Sequence, residues 1–134
     1  MTTAAAMATL DRAQCLERLA GDDVGRLAVV VGGAPHILPV NYVLDGECIV
    51  FRTDPGTKLH AALRAPACFE IDRFDHERRI GWSVVAHGQL EELTRYDRVT
   101  LERISAMDVI PWAAGDKAHW MRLIPSYFTG RQLA

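Results

Sequence analysis

The spacing of apolar residues predicts that the chain begins with one short helix. Leu16 and Leu19, together with Cys15, lie on one side of a helical turn. Asp11 precedes them and is suited to cap a helix, with Gln14 three residues later to complete a capping box. A glycine at position 21 is suited to end the helix.

Beyond this helix the pattern is typical of strands that follow one another through tight turns. Each predicted strand is rich in β-branched or alternating apolar residues and is bounded by turn residues. The strands are expected over 27–31, 36–44, 48–53, 67–74, 81–90 and 120–133. With short helices over 57–64 and 95–107, this order predicts a mainly β fold, a small closed barrel of six antiparallel strands with helical lids.

Two residues inside these strands predict local irregularities. Pro39 removes a backbone donor, so its strand is expected at a sheet edge or at a bulge. Gly88 is expected at a bulge or bend. The first nine residues fit neither pattern, so we expect a flexible leader at 1–9 and a single domain at 10–134.

Composition and charge exclude several classes of function. The 134 residues carry a net charge of −2, which supplies no electrostatic field for nucleic acid or an anionic membrane. The longest aliphatic run covers only 27–31, far short of the roughly 20 residues of a membrane helix. The N-terminus lacks the features of a signal peptide, and the three widely spaced cysteines suit a reducing compartment. We therefore expect a cytoplasmic protein.

The stretch 51–59 is the best candidate for binding an anion. A strand ending in Arg52 and Thr53 is followed by a tight turn and a helix that begins with Thr57 and Lys58. The first amides of a helix favour negative charge, and the added cations and hydroxyls make a compact phosphate site. The alternative is an ordinary Asp-Pro-Gly turn with a threonine cap.

Three further stretches carry candidate binding residues. At Pro39-Val40-Asn41-Tyr42, backbone groups freed by the proline suit the edge of a flat heterocycle, although an edge strand alone explains the proline. Trp82 and Ser83 combine an aromatic face with a hydroxyl, although a core tryptophan is the common alternative. Arg122 and Arg131 suit either an anion or surface ion pairs. The five histidines have no metal-ligand spacing, so no metal is expected.

The order and spacing of these stretches resemble the flavin-binding split-barrel family, the pyridoxamine 5'-phosphate oxidase-like proteins, and in particular its short bacterial branch. The matching segments are Gly25-Arg26-Leu27, Pro39-Val40-Asn41-Tyr42, Phe51-Arg52-Thr53, Gly56-Thr57-Lys58, Gly81-Trp82-Ser83-Val84 and Thr129-Gly130-Arg131. The resemblance implies a six-stranded antiparallel split β-barrel that forms a homodimer, with FMN bound at the interface between subunits.

The resemblance also implies roles for single residues. Arg52, Thr53, Thr57 and Lys58, with the adjoining Leu59, would hold the FMN phosphate. The segment Pro39, Val40, Asn41 and Tyr42 would lie along the isoalloxazine. The segment Trp82, Ser83 and Val84 would complete the pocket, and Trp120 and Arg131 would approach it from the partner subunit.

The expected function is that of an FMN-dependent oxidoreductase acting on a small molecule, without metal, nucleic acid or membrane. The founding oxidase of the family is longer and ends in an arginine- and histidine-rich segment, which has no counterpart before Ala134, so oxidation of pyridoxamine phosphate is not expected. Three alternatives remain open at this point: a flavin carrier or redox sensor without turnover, a deazaflavin-dependent reductase, and a small barrel that only dimerises or binds a protein.

Overall fold

The computed structural model describes residues 4–54, 58–107, 109, 111–112 and 119–134, with Lys58 described by its backbone alone. The helix predicted first is present as α1 over Arg12–Ala20. Asp11 caps it, and the capping box with Gln14 is confirmed, with both hydrogen bonds at 2.8–2.9 Å. Gly21 ends the helix as predicted, because its amide donates to the carbonyl of Arg18.

Most of the chain forms one mainly β structure. The strands are β1 (Met7–Thr9), β2 (Val24–Val31), β3 (Ala34–Asn41), β4 (Val43–Asp45), β5 (Cys48–Thr53), β6 (Pro66–Asp75), β7 (Ile80–Leu93) and β8 (His119–Leu133). A second helix, α2, covers Arg98–Ser105. Every strand pairing is antiparallel, in the order β3-β2-β6-β7-β8-β5-β4, with β1 on β8. The sheet is curled into a half-barrel, which confirms the predicted fold class.

The curl of the sheet follows from the connection between its two edge strands. Strands β3 and β4 lie at opposite edges but are separated in the chain by Tyr42 alone. The Tyr42 amide leaves the ladder and donates to the carbonyl of Asp23 at 3.0 Å. The strand predicted over 36–44 is therefore interrupted, and Pro39 lies on an edge strand as expected.

The strand count differs from the predicted six for a second reason. Residues 7–9, expected in a flexible leader, form β1 and pair with β8 from Met7 opposite Leu133 to Thr9 opposite Arg131. Strand β5 pairs only with the first part of β8, residues 119–123. The other end of β8 therefore offers unpaired backbone groups, and these are satisfied by β1.

The predicted irregularity at Gly88 is confirmed as a shift in register between β7 and β8. A Cβ at this position would lie 1.9 Å from the carbonyl oxygen of Ile124, so the backbones approach too closely for any side chain. The helix predicted over 57–64 is instead a five-residue 3-10 helix over Lys58–Ala62. Thr57, expected at its start, lies outside the described residues, so the anion site expected there stays a prediction.

The sheet packs apolar residues on both faces. The inner face and α1 enclose the main core, in which Leu27, Phe51, Phe69 and Leu123 are fully buried. Helix α2 covers part of the outer face with a smaller cluster around Ile104. Among the described residues no helix is long and apolar enough to span a membrane.

Candidate functional site

The register of the sheet places four predicted binding residues on its outer face. Pro39 and Asn41 lie on β3, Ser83 on β7 and Arg131 on β8. Ser83 is paired directly with Arg131, so these two side chains are neighbours on one face. The structure therefore brings together residues that are far apart in the sequence.

The alternate residues of the same segments point into the core. Val84 is fully buried, and Val40 packs against the same core cluster. Tyr42 is also buried: its hydroxyl donates to the Leu19 carbonyl at 2.6 Å, and its ring meets Phe69 edge-on at 4.7 Å. Burial raises the pKa of the Tyr42 hydroxyl. The side chain of Tyr42 is therefore a core residue, and the predicted contact of this segment with the ring would have to come from its backbone groups.

Trp82 takes an intermediate position at the rim of the core. Its ring is half-buried, and the guanidinium of Arg18 lies 5.0 Å from the ring centre. Arg18 also donates to the side-chain oxygen of Gln132 at 2.6 Å, which fixes the cation over the indole. An open groove of about 340 Å³ runs beside this pair.

A second group of predicted residues lies at the other end of β8. Arg52 is paired with Trp120, and its guanidinium lies 5.1 Å from the indole centre. Thr53 and Leu59 are buried, and Leu59 belongs to the main core. Thr57 and the side chain of Lys58 lie outside the described residues. This end therefore holds a cation on an aromatic surface, close in sequence to a 3-10 helix where the sequence analysis expected a longer helix.

At this end of β8, the carboxylate of Glu92 lies between two histidines, His60 and His119. His119 is paired with Thr53, and its Nδ1 lies 2.5 Å from Oε1 of Glu92. The second oxygen of Glu92 lies 3.8 Å from Nδ1 of His60. Sequence spacing gave no indication of this cluster, because its members come from three separate elements.

An ionic cluster on the outer face was also missed by the sequence analysis. The Nη2 of Arg26 lies 2.6 Å from Oε1 of Glu70 and 2.7 Å from Oδ2 of Asp72. Asp72 is paired with Ser83, and Arg26 with Pro39, so the cluster lies among the predicted binding residues. Burial and a hydrogen bond from Asp72 raise the pKa of Glu70, against the opposing effect of Arg26. Alternation along β6 was the signal that places both acids on one face.

A chain of polar contacts continues along the outer face. The Nδ1 of His87 lies 3.3 Å from the sulfur of Cys68, and its Nε2 lies 3.0 Å from Oγ1 of Thr129. The imidazole is stacked on Tyr127, with ring centres 4.4 Å apart. Burial raises the pKa of the Cys68 thiol, so it acts here as a protonated partner of the histidine.

Asn41 holds the chain that follows α2. Its Oδ1 accepts a hydrogen bond from the backbone amide of Trp112 at 3.0 Å. The sequence analysis gave Trp112 no role. Arg122, considered for an anion, instead donates to Glu91 at 3.0 Å, as the ion-pair alternative expected.

Comparison with known protein families identifies the family to which the chain belongs. A family model described as pyridoxamine 5'-phosphate oxidase matches residues 11–132. The chain belongs to the pyridoxamine 5'-phosphate oxidase family. This confirms the resemblance inferred from the sequence.

Relatives of this pyridoxamine 5'-phosphate oxidase family member are similar over most of their length. The FAD binding protein from Mycobacterium smegmatis is 31% identical with a TM-score of 0.79, over 94% of this chain and 98% of that one. A putative pyridoxamine 5'-phosphate oxidase from Corynebacterium glutamicum is 26% identical with a TM-score of 0.78, over 99% and 96%. An uncharacterized protein of Mycobacterium tuberculosis is 35% identical over 75% of each chain. Flavin-binding proteins are thus among the structural neighbours of this chain.

Proposed function

We propose that this chain is a flavin-dependent oxidoreductase that binds FMN between two copies of itself. The observation that carries the proposal is the arrangement of the predicted binding residues on the outer face. One group surrounds Arg52 and Trp120, and the other surrounds Ser83 and Arg131. Family membership supports a flavin as the ligand, since the similar protein from Mycobacterium smegmatis binds FAD.

The separation of these groups supports a site shared between subunits. Trp120 and Arg131 lie on the same strand, eleven residues apart by number. At about 3.3 Å per residue this is up to about 36 Å along the strand, longer than a flavin nucleotide. A second copy related by a two-fold axis brings the Arg131 end of one subunit to the Arg52 end of the other.

Exposed apolar side chains on the same face support an association of two copies. Ile37 and Val30 are 71% and 52% exposed, although both lie on strands of the main sheet. Ile37 is paired with Ala28, one step along the sheet from the Arg26 cluster. Covering this surface removes apolar area from water, and the second copy carries the complementary polar groups.

The residues present fit a flavin phosphate and ring. Arg52 supplies a cation already held against Trp120, and Lys58 follows it at the start of the 3-10 helix. Asn41 and Ser83 provide polar groups for the ring edge, and the Trp120 indole excludes water from the phosphate end. When bound, the flavin supplies hydride and electron transfer, so the chain's own residues serve to bind, orient and shield it.

A second cofactor and a second role are each favoured by specific observations. FAD is the second candidate cofactor, because it is the flavin of the 31%-identical neighbour. A flavin carrier or redox sensor is the second candidate role, because binding groups such as Arg52, Asn41 and Ser83 would serve flavin transport or sensing as well as turnover. Reduction of the bound flavin by NADH or NADPH, followed by reoxidation with oxygen or a nitroaromatic compound, identifies an oxidoreductase; absence of turnover with every donor favours the carrier.

The phosphate assignment is tested by changing Lys58 to Ala. A charge-assisted hydrogen bond is worth roughly 1.5–3 kcal/mol, so we expect the Kd for FMN to rise at least about tenfold. The measurement is quenching of flavin fluorescence on titration with protein. The matched control is Arg98→Ala, which removes one positive charge from an exposed ion pair with Glu102 on α2 and leaves affinity unchanged.

Two negative results have different meanings in this experiment. If the unaltered protein quenches neither FMN nor FAD, the proposed function is wrong. If it binds FMN but Lys58→Ala binds equally well, only the phosphate assignment is wrong.

A further inference from the structure

The three tryptophans of the chain differ sharply in their surroundings. Trp82 and Trp120 are half-buried, and each lies within about 5 Å of an arginine guanidinium. Trp112 is 76% exposed. Tryptophan is the largest apolar side chain and is highly buried on average, so the exposed Trp112 ring leaves a large apolar surface available to a ligand or partner.

The position of Trp112 is fixed although its ring is exposed. Three residues before it, Val109 is 4% exposed, so the chain is anchored in the protein there. The Trp112 amide is held by Oδ1 of Asn41 at 3.0 Å. Helix α2, which precedes the segment, is itself held by Arg103, whose guanidinium donates two hydrogen bonds of 2.7 Å to Asp45. The indole is therefore presented by a constrained backbone.

Asn41 connects this indole to the surface described above. It ends β3 on the outer face and belongs to the segment 39–42 that the sequence analysis aligned with the flavin ring. A planar indole at the end of that strand is suited to stack on a planar, electron-poor heterocycle. Stacking would remove the exposed face of the indole from water, which is favourable for an apolar surface.

We propose that the indole of Trp112 stacks on the ring system of the bound flavin and that Asn41 is the residue that positions it. The inference rests on the proposed function and goes beyond it by adding a ring contact that neither the sequence motifs nor the family match assigns. It places the flavin ring against the chain that follows α2, with the phosphate at the Arg52 end of the other copy.

The test compares Trp112→Ala and Trp112→Phe with the unaltered protein by titration with FMN, FAD and riboflavin. Stacking of a base on an aromatic side chain predicts that Trp112→Ala raises the Kd for all three by about 5- to 50-fold. Trp112→Phe retains a stacking ring and is expected to stay within about threefold. Asn41→Ala is expected to lie between these variants, because the ring remains but its backbone anchor is lost.

The matched control is Tyr96→Ala. Tyr96 is 83% exposed and precedes α2, so its removal tests the loss of an exposed aromatic ring outside the proposed contact. Its flavin affinity is expected to be unchanged. Tryptophan emission provides an independent measure: FMN is expected to quench a larger share of emission in the unaltered protein than in Trp112→Phe.

The possible results separate this inference from the proposed function. If the unaltered protein binds flavin and Trp112→Ala binds it equally, with the same quenching, the stacking contact is wrong and the flavin site remains. If Trp112→Ala and Tyr96→Ala weaken binding equally, the effect is not one of stacking and the inference is also wrong. If the unaltered protein binds no flavin, the proposed function itself is overturned.

Discussion

The outer face of the sheet has two halves that are covered in different ways. In one half, Val50 on β5 and Leu93 at the end of β7 are buried and pack against Ile104 of α2. On β2 and β3, Val30 and Ile37 are more than half exposed. A curled sheet with apolar residues on both faces needs cover on both, and among the described residues α2 covers one half of the outer face.

The difference suggests what each half is for. In the covered half, Ile104 packs on Val50 and Leu93, which stabilises the protomer. The open half carries Arg26, Glu70 and Asp72 beside the proposed ring-binding residues Asn41 and Ser83, whereas the proposed phosphate end lies in the covered half. Polar groups held between strands, with apolar residues around them, suit a surface that is completed by a ligand and a second subunit.

The largest expected effect is a difference in the free energy of unfolding between the same substitution, isoleucine to alanine, made in each half. Ile104→Ala removes a fully buried side chain and is expected to lower the free energy of unfolding by about 2–5 kcal/mol. Ile37→Ala, at a position 71% exposed, is expected to change it by less than about 0.5 kcal/mol. Chemical denaturation at protein concentrations low enough to avoid association measures both. Equal losses for the two variants would contradict the comparison.

The next effect concerns association. Val30→Asp places a charge on the open half and is expected to weaken self-association by about tenfold or more, since a charge would be buried without a partner. Val99→Asp is the control, because Val99 is 75% exposed on α2 in the covered half. Sedimentation velocity over a concentration series measures both variants, and circular dichroism checks that each is folded. Dissociation of Val99→Asp but not of Val30→Asp would place the interface on the other half.

The smallest expected effect is a pH dependence of stability from the open half. Burial and Asp72 raise the pKa of Glu70 above that of an exposed carboxyl, so the folded chain holds this proton more tightly than the unfolded chain does. Its contribution is therefore fully present below the usual carboxyl pKa and is lost as pH rises through the raised value. Arg26 on β2 and Asp72 on β6 are the charged groups that the described structure places against Glu70.

Thermal unfolding as a function of pH tests this contribution. Between about pH 4.5 and 7 we expect the unaltered protein to lose more stability than Glu70→Gln, whose amide cannot titrate. The control is Glu17→Gln, at an exposed position on α1. Its stability should depend on pH as that of the unaltered protein does. Parallel curves for the unaltered protein and Glu70→Gln would show that the proton is not held at Glu70.

Much of the fold was predictable because its signals are local. Asp11, Gln14 and Gly21 specify the ends of α1 through hydrogen bonds within a few residues. The irregularity at Gly88 follows from the absence of a side chain. The sequence analysis missed β1 because Met7–Thr9 has no apolar pattern of its own and is ordered only by pairing with β8. It also missed the interruption at Tyr42, which depends on the distant carbonyl of Asp23.

The candidate site was predictable only in part for the same reason. Motif spacing selected Arg52, Ser83 and Arg131, but alternation alone does not show which neighbours share a face until the register is known. Val84 and the side chain of Tyr42 were included with the motif and proved to be core residues. Trp112 was not selected, since its relation to Asn41 spans 71 positions of the chain.

The sequence by itself determined the strand-rich architecture, the capped first helix and the family, because propensity, turn chemistry and motif order are read along the chain. Only the tertiary structure decided that Arg26, Glu70 and Asp72 form one cluster and that Ser83 stands beside Arg131. Those relations depend on strand register. Register is set by the simultaneous packing of every inward side chain, and no single segment contains that information.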